Sequence, residues 1–159
     1  MNKNKKIIAW IILIGWMGLI FGMSHQPGEV SSNQSELVLK IFSLIGIQLN
    51  DYFGELATFV IRKTAHFSEY MILFLLAYNV TRYYVNNNKT RILLIAFVFL
   101  YACSDELHQY FIPGRAMAFK DVLIDTSGGI AGYIIAVSYT HLTLPTKNSP
   151  CRSRWSPYH

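Results

Sequence analysis

Charge is what this sequence has least of. Of its 159 residues only 14% are charged, while 52% are hydrophobic; a soluble domain averages about a quarter charged. Acids are absent before Glu29, between Glu69 and Asp105, and after Asp125. Of the two cysteines, Cys103 lies in an apolar run and Cys151 near the carboxyl end, so no disulfide framework is implied. No internal repeat, phosphate loop, CxxC pair or HExxH helix occurs, which removes the enzyme classes built on those devices.

What is present comes in blocks. Ile7–Met23, "IIAWIILIGWMGLIFGM", has no charge. Thr64–Val80 is apolar apart from one acid and one histidine near its start, Ile92–Ser104 is an unbroken apolar run, and Val122–Val137 carries only Asp125. A membrane span needs roughly 17–25 residues, so the first block suffices alone and the others need their polar ends. The pattern predicts an all-α fold, a small polytopic membrane bundle of about four transmembrane helices.

A short outer amphipathic helix is predicted over Ser35–Asn50, "SELVLKIFSLIGIQLN", where Leu37, Ile41, Leu44, Ile45 and Ile47 recur at near-helical spacing. Ser35 or Asn33 can cap its start. It either packs on the mouth of the bundle or lies in the headgroup layer; the single Lys40 gives little electrostatic reason to prefer the membrane surface.

Lysines in "MNKNKK" precede the first block as they would in a signal peptide. The apolar region exceeds the ~7–15 residues of a signal core and no small-x-small cleavage site follows, so a retained helix is expected. Lys3, Lys5 and Lys6, then Arg82, Lys89 and Arg91, mark one end of the bundle, with no acid in either segment. Basic residues at helix ends favour the cytoplasm. The amino terminus is therefore placed inside, and residues 24–62 and 105–121 outside.

The stretch "YACSDELHQYFIPGR" concentrates the chemistry. Thirteen apolar residues reach about 20 Å as a helix, against a hydrocarbon layer of about 30 Å. The third helix must therefore continue through "SDELHQ". Asp105, His108 and Gln109 then share a face by their spacing of three and four, while Glu106 is turned aside toward the watery rim. The second helix begins with Arg62, Lys63, His66, Glu69 and Tyr70, and the fourth carries Asp121 and Asp125 four apart. Three helices thus bear ionisable stripes at one end, as an internal polar site requires, since charges facing lipid are costly.

Each element also has a plainer explanation. Arg62 and Lys63 serve equally as interfacial anchors. "IPGR" reads as a turn, with Pro113 stopping the helix and Gly114 supplying a left-handed step. A lone His66 or His108 is more often a satisfied structural group than a catalyst. Gly128 and Gly132 are a small-xxx-small pair that lets a neighbouring helix approach. Acids and histidines from three helices at one depth bring the functional reading level with the structural one.

"FGMSHQP", "RKTAHFSEYMIL", "SDELHQYFIPGR" and "DVLIDTSGGIAG" together resemble the VanZ-like family, from Phe21 to about Val137. Its founding member is associated with resistance to the glycopeptide teicoplanin. The resemblance implies a small bacterial inner-membrane protein of about four helices, without supplying a reaction. The family's signature positions fall on Arg62, Lys63, His66, Glu69 and Tyr70; on Asp105, Glu106, His108, Gln109, Phe111, Pro113, Gly114 and Arg115; on Asp121, Asp125, Gly128 and Gly132; and on Ser24 and Pro27. From Ser138 the chain departs from that pattern: "SYTHLTLPT" resembles translated adapter read-through. Residues 1–137 are taken as the membrane domain, and 138–159 as a disordered, non-native tail. The tail holds +3 of the formal +5 charge, leaving +2 elsewhere, so the basic balance says nothing of nucleic acid.

His66, Glu69, Asp105, Glu106, His108, Asp121 and Asp125 are the residue types of general acid–base catalysis in a partly dry site. Arg62, Lys63, Gln109 and Arg115 suit a phosphate or carboxylate held at headgroup level. The expected partner is a membrane lipid or lipid-linked envelope intermediate, with no nucleic acid. No cofactor is predicted; the same side chains suit a divalent metal, but the sequence does not fix their spacing across helices. Three functions compete: an enzyme acting on an envelope lipid, a non-catalytic factor shielding the drug's target, and a small transporter, for which four helices without a repeat is thin.

Overall fold

Every apolar block is helical, and each helix is longer than the block that predicts it. The structure, a computed structural model, describes residues 3–47, 54–85 and 87–142. Its elements are α1 (Lys3–Ser24), α2 (Gly28–Leu44), a 3-10 turn (Gly54–Leu56), α3 (Ala57–Thr81), α4 (Asn88–Gln109) and α5 (Phe119–Leu142), with no strand among the described residues. In lipid a helix satisfies its own backbone, so apolar runs extend until a local signal stops them. Asn87 starts α4, its side-chain oxygen accepting from the Thr90 N–H at 2.7 Å. The helix then runs through "SDELHQ" to Gln109, ending ahead of Pro113.

Three boundaries differ from the sequence expectation. The amphipathic helix begins at Gly28 rather than near Ser35, with Pro27 at its N-cap, because proline's fixed φ and missing donor suit a helix start. Ser35 is consequently mid-helix, where its hydroxyl donates to the Ser31 carbonyl. The helix also stops at Leu44, short of the expected Asn50, where Gly46 takes φ +85° and leaves Ile45 and Ile47 beyond the helix; residues 48–50 lie outside the described residues. At the other terminus α5 continues through residues 138–142, the first part of the segment set apart as a tail; residues 143–159 lie outside the described residues.

Helix α3 is the hub. It packs most extensively on α5 and also against α1, α2 and α4. Its buried stripe is Tyr70, Leu73, Phe74, Ala77 and Val80, the spacing of one helical face. Glycines let α5 come close: a Cβ on Gly128 would collide with the Phe67 carbonyl, and one on Gly132 would meet the Met71 carbonyl at 2.8 Å. Gly129 does the same for α4, where Val98 fills the space. Helix α1 is pinned by two donors, the Trp16 indole to the Glu69 carbonyl at 3.0 Å and the Tyr101 hydroxyl to the Met17 carbonyl at 2.8 Å.

The bundle has two unlike ends. At one, the Lys6 ammonium lies over the Tyr84 ring at 4.6 Å and the Trp10 indole donates to the Tyr84 hydroxyl, so the amino-terminal lysines sit beside the α3–α4 turn with its Arg82 and Lys89. At the other, Gly28 donates its N–H to the Pro113 carbonyl and packs directly on Gly114. Gly114 has φ +75°, the left-handed step expected of "IPGR". That contact draws the start of α2 and the α4–α5 link over the polar end.

Two helices, Lys3–Ser24 and Phe119–Ser138, are long and apolar enough to cross a membrane. Helices α3 and α4 are comparably long, at 25 and 22 residues, but fall outside that pair, their apolar runs being interrupted by the polar turns at Arg62–Glu69 and Ser104–Gln109. The four-span arrangement expected from the sequence is thus not established by length and apolarity. Large apolar side chains nevertheless face outward along α1, α4 and α5, including Ile11, Ile14, Leu93, Leu100 and Ile134, as exposed apolar surface that marks an interaction or membrane-facing side.

Candidate functional site

Three helices bring their polar turns together at the end opposite the lysines. On α3, steps of four and three place His66 and Glu69 on the face that meets α5 and the end of α1. The His66 Nδ1 lies 3.7 Å from an Asp125 oxygen and 4.0 Å from a Glu69 oxygen. Both separations are too long for hydrogen bonds, and Nδ1 has no other partner. Asp125, one turn before the close contact at Gly128, is 0% exposed, and neither of its carboxylate oxygens is hydrogen-bonded.

From α4, Asp105 enters the same space at 4% exposure. It is oriented by a relay: Gln109 donates to Asp105 Oδ2 at 3.1 Å, and Arg115 donates to Gln109 Oε1 at 3.0 Å. Arg115 is itself tied to the end of α1 and the link that follows it, donating to the carbonyls of Met23 at 3.3 Å and Gln26 at 2.9 Å. Burial, and next the neighbouring Arg62, push its guanidinium below its ordinary value, against the pull of Asp105, Glu106 and Glu69. The hydroxyls of Ser24 and Tyr70 face the Asp105 carboxylate without reaching well-formed hydrogen bonds. One ligand atom from each of His66, Asp105 and Asp125 lies within 4.8 Å of the others, close enough for a shared ion.

Other expected residues fall elsewhere. Lys63 and Asp121 pair with each other at 2.5 Å at the edge of the cluster. Glu106, expected at the watery rim, is instead 0% exposed. The rotation that turns it from Asp105 aims it beneath the α4–α5 link, where Oε2 accepts the Ala118 N–H at 2.9 Å just before α5 begins; it secures the link. His108, expected inward against His66 and Glu69, turns to α1 instead. It packs tilted against Phe21 with ring centroids 4.5 Å apart and lies 3.1 Å from His25, nitrogen to nitrogen. A step of three advances about 300°, leaving His108 about 60° to one side of Asp105, while a step of four leaves Gln109 about 40° to the other.

His25 is a residue that sequence reasoning missed. The only signal was its place in "SHQP" beside Ser24, and nothing local says that α1 ends opposite His108.

Two cavities flank the cluster. One of about 140 Å³ is lined by residues including Met23, Ser35, Arg62, His66, Glu69 and Arg115. The other, about 340 Å³, lies between α1 and α4 and is lined by Phe21, Tyr101, Ser104, Asp105, Leu107, His108 and Phe111. His66 faces the first and Asp105 the second. The first joins two guanidinium-bearing side chains to an acid and an imidazole, an arrangement that can hold an anion and move a proton beside it.

The sequence profile of the VanZ/LLP1 family matches residues 9–141. No curated protein and no solved structure matches the chain.

Proposed function

The chain belongs to the VanZ/LLP1 family, and from that premise we propose that it is a multi-pass protein of the bacterial cytoplasmic membrane that binds an anionic, lipid-linked envelope compound at the outer leaflet and acts on it by acid–base chemistry. The observation that carries the proposal is the convergence of His66, Glu69, Asp105 and Asp125 beside a cavity bearing Arg62 and Arg115. A buried carboxylate without hydrogen bonds, Asp125, facing an imidazole nitrogen without a partner, His66 Nδ1, is costly, and such groups collect where proton transfer is needed.

Several features support the membrane placement. Helices α1, α3, α4 and α5 have 22–25 residues, so each spans about 33–37 Å at 1.5 Å per residue and can cross a layer of about 30 Å. The end bearing Lys3, Lys5, Lys6, Arg82 and Lys89 is the cytoplasmic one by the preference of basic residues, which puts the cluster at the outer face. Helix α2 buries Ser35 and Leu39 against the bundle and turns Leu37, Ile41 and Leu44 outward, the stance of a helix lying in the headgroup layer.

Size guides the choice of ligand. A cavity of about 140 Å³ is below the ~300–1,000 Å³ of clefts that enclose drug-sized molecules. It fits a phosphate-sized headgroup whose chains run along the outward apolar surface, and it is too small to enclose a glycopeptide.

Incubating the purified protein in nanodiscs with polar envelope lipids, and following lipid species by mass spectrometry, tests the proposal. Wild type is expected to convert at least one phosphate-bearing lipid, and His66→Gln and Asp105→Asn to lower that rate at least 100-fold, the order of effect of losing an acid–base group. Equal turnover by the variants and wild type would remove the acid–base reading. No conversion by wild type, with drug protection intact in both variants, would favour a non-catalytic shield.

A further inference from the structure

Asp125 poses a problem of charge. Its carboxylate is fully buried and neither oxygen has a hydrogen bond, whereas buried charges are normally paired or bound to metal. The basic residues near it are engaged elsewhere: Lys63 with Asp121, and Arg115 with Gln109 and the carbonyls of Gln26 and Met23. Its nearest basic group, the His66 Nδ1, stands 3.7 Å away and is itself unbonded. Asp105 adds a second buried carboxylate to the same space.

We infer that His66, Asp105 and Asp125 form a binding site for one divalent cation. An ion of charge +2 neutralises the two carboxylates, with a neutral imidazole as third ligand. A point equidistant from three atoms at the largest spacing, 4.8 Å, lies about 2.8 Å from each; side-chain movements of about 0.7 Å bring all three to the ~2.1 Å of a metal bond. One imidazole nitrogen with two carboxylate oxygens suits Mn²⁺ or Zn²⁺. Three protein ligands are also what a metal site with an open position uses.

The surroundings agree with a metal site. Gln109 fixes the Asp105 carboxylate and Arg115 fixes Gln109, the outer support that orients metal ligands. All three ligands stand on helices joined by glycine contacts, so they are rigidly placed. His66 also lines the cavity with Arg62 and Arg115. The ion's role, polarising a bound phosphoryl or carboxyl oxygen, rests on the function proposed above; its binding does not.

The test uses the full-length protein in nanodiscs, stripped with chelator and titrated with Mn²⁺ under electron paramagnetic resonance, with Zn²⁺ competing. One Mn²⁺ per chain is expected, displaced by Zn²⁺ and accompanied by a higher unfolding temperature. Asp125→Asn and Asp105→Asn are expected to weaken binding by at least about 100-fold, and the exposed Glu29→Gln to leave it unchanged. His66→Gln reads the same site should an aspartate variant fail to fold. Absence of stoichiometric binding by wild type, or binding retained in both Asp125→Asn and His66→Gln, overturns the inference. The two proposals fail separately: anionic-lipid retention by a protein that binds no Mn²⁺ sinks the metal site alone, and Mn²⁺ binding without anionic-lipid retention sinks the lipid reading alone.

Discussion

Asp125→Asn is expected to raise the unfolding temperature of the metal-free protein while removing its activity. Most substitutions at a fully buried position destabilise, typically by 0.5–3 kcal/mol, so the opposite sign is diagnostic. The carboxylate is 0% exposed and both oxygens lack hydrogen bonds, so the folded state bears a desolvation penalty of several kcal/mol. Asparagine keeps the shape and sheds the charge. A gain of about 1–2 kcal/mol, at the low end of the ~1–4 kcal/mol seen when buried ion pairs are replaced by apolar residues because the amide is itself buried and polar, corresponds to an upward shift of several degrees at about 2–4 °C per kcal/mol for this size. Activity on an anionic lipid should fall by at least 100-fold. Thermal unfolding and lipid turnover measured on one preparation decide the matter. If both decline together, Asp125 is a structural residue and the cluster loses its centre.

Gly128→Ala carries the largest expected structural effect. The added Cβ would meet the Phe67 carbonyl of α3 well inside van der Waals contact, and a backbone atom cannot rotate aside. The α3–α5 separation must widen at a cost of about 1–3 kcal/mol or more. His66 neighbours Phe67, and Asp125 lies one turn before Gly128, so the same widening pulls the site apart. Gly22→Ala is the matched control: its Cβ would meet nothing within 4 Å, and alanine is the better helix former by about 1 kcal/mol. Gly22→Ala should therefore be neutral or stabilising, and Gly128→Ala should lose both folded yield and activity. Indistinguishable unfolding temperatures would mean that the two helices are not in contact at this glycine.

The depth of the site was legible in the sequence, and its azimuth was not. The polar turns stand at the start of α3, the end of α4 and the start of α5, and helices that alternate in direction bring those three places to one end. Periodicity gives the angle between residues of one helix but not the angle at which that helix faces its neighbours. Asp105 with Gln109 and Asp105 with His108 were equally good inward pairs by spacing. Packing against α1 chose the first and sent His108 to His25. Glu106 was misplaced because the rim position assumed water where the link at Ala118 folds over the helix. The start of α2 was missed since "SHQPGE" reads as a loop until Gly28 is seen against Gly114, a contact between residues far apart in the chain.

Native mass spectrometry of the protein released from nanodiscs of mixed envelope lipids tests the central claim most directly, that the polar end of the bundle holds an anionic lipid headgroup. Wild type is expected to retain lipids of net negative charge in preference to zwitterionic ones. Arg62→Gln and Arg115→Gln should reduce that preference at least tenfold, each removing one charge-assisted contact of about 1.5–3 kcal/mol. Equal retention of anionic and zwitterionic lipids by wild type, or a preference unchanged in both arginine variants, would contradict the account.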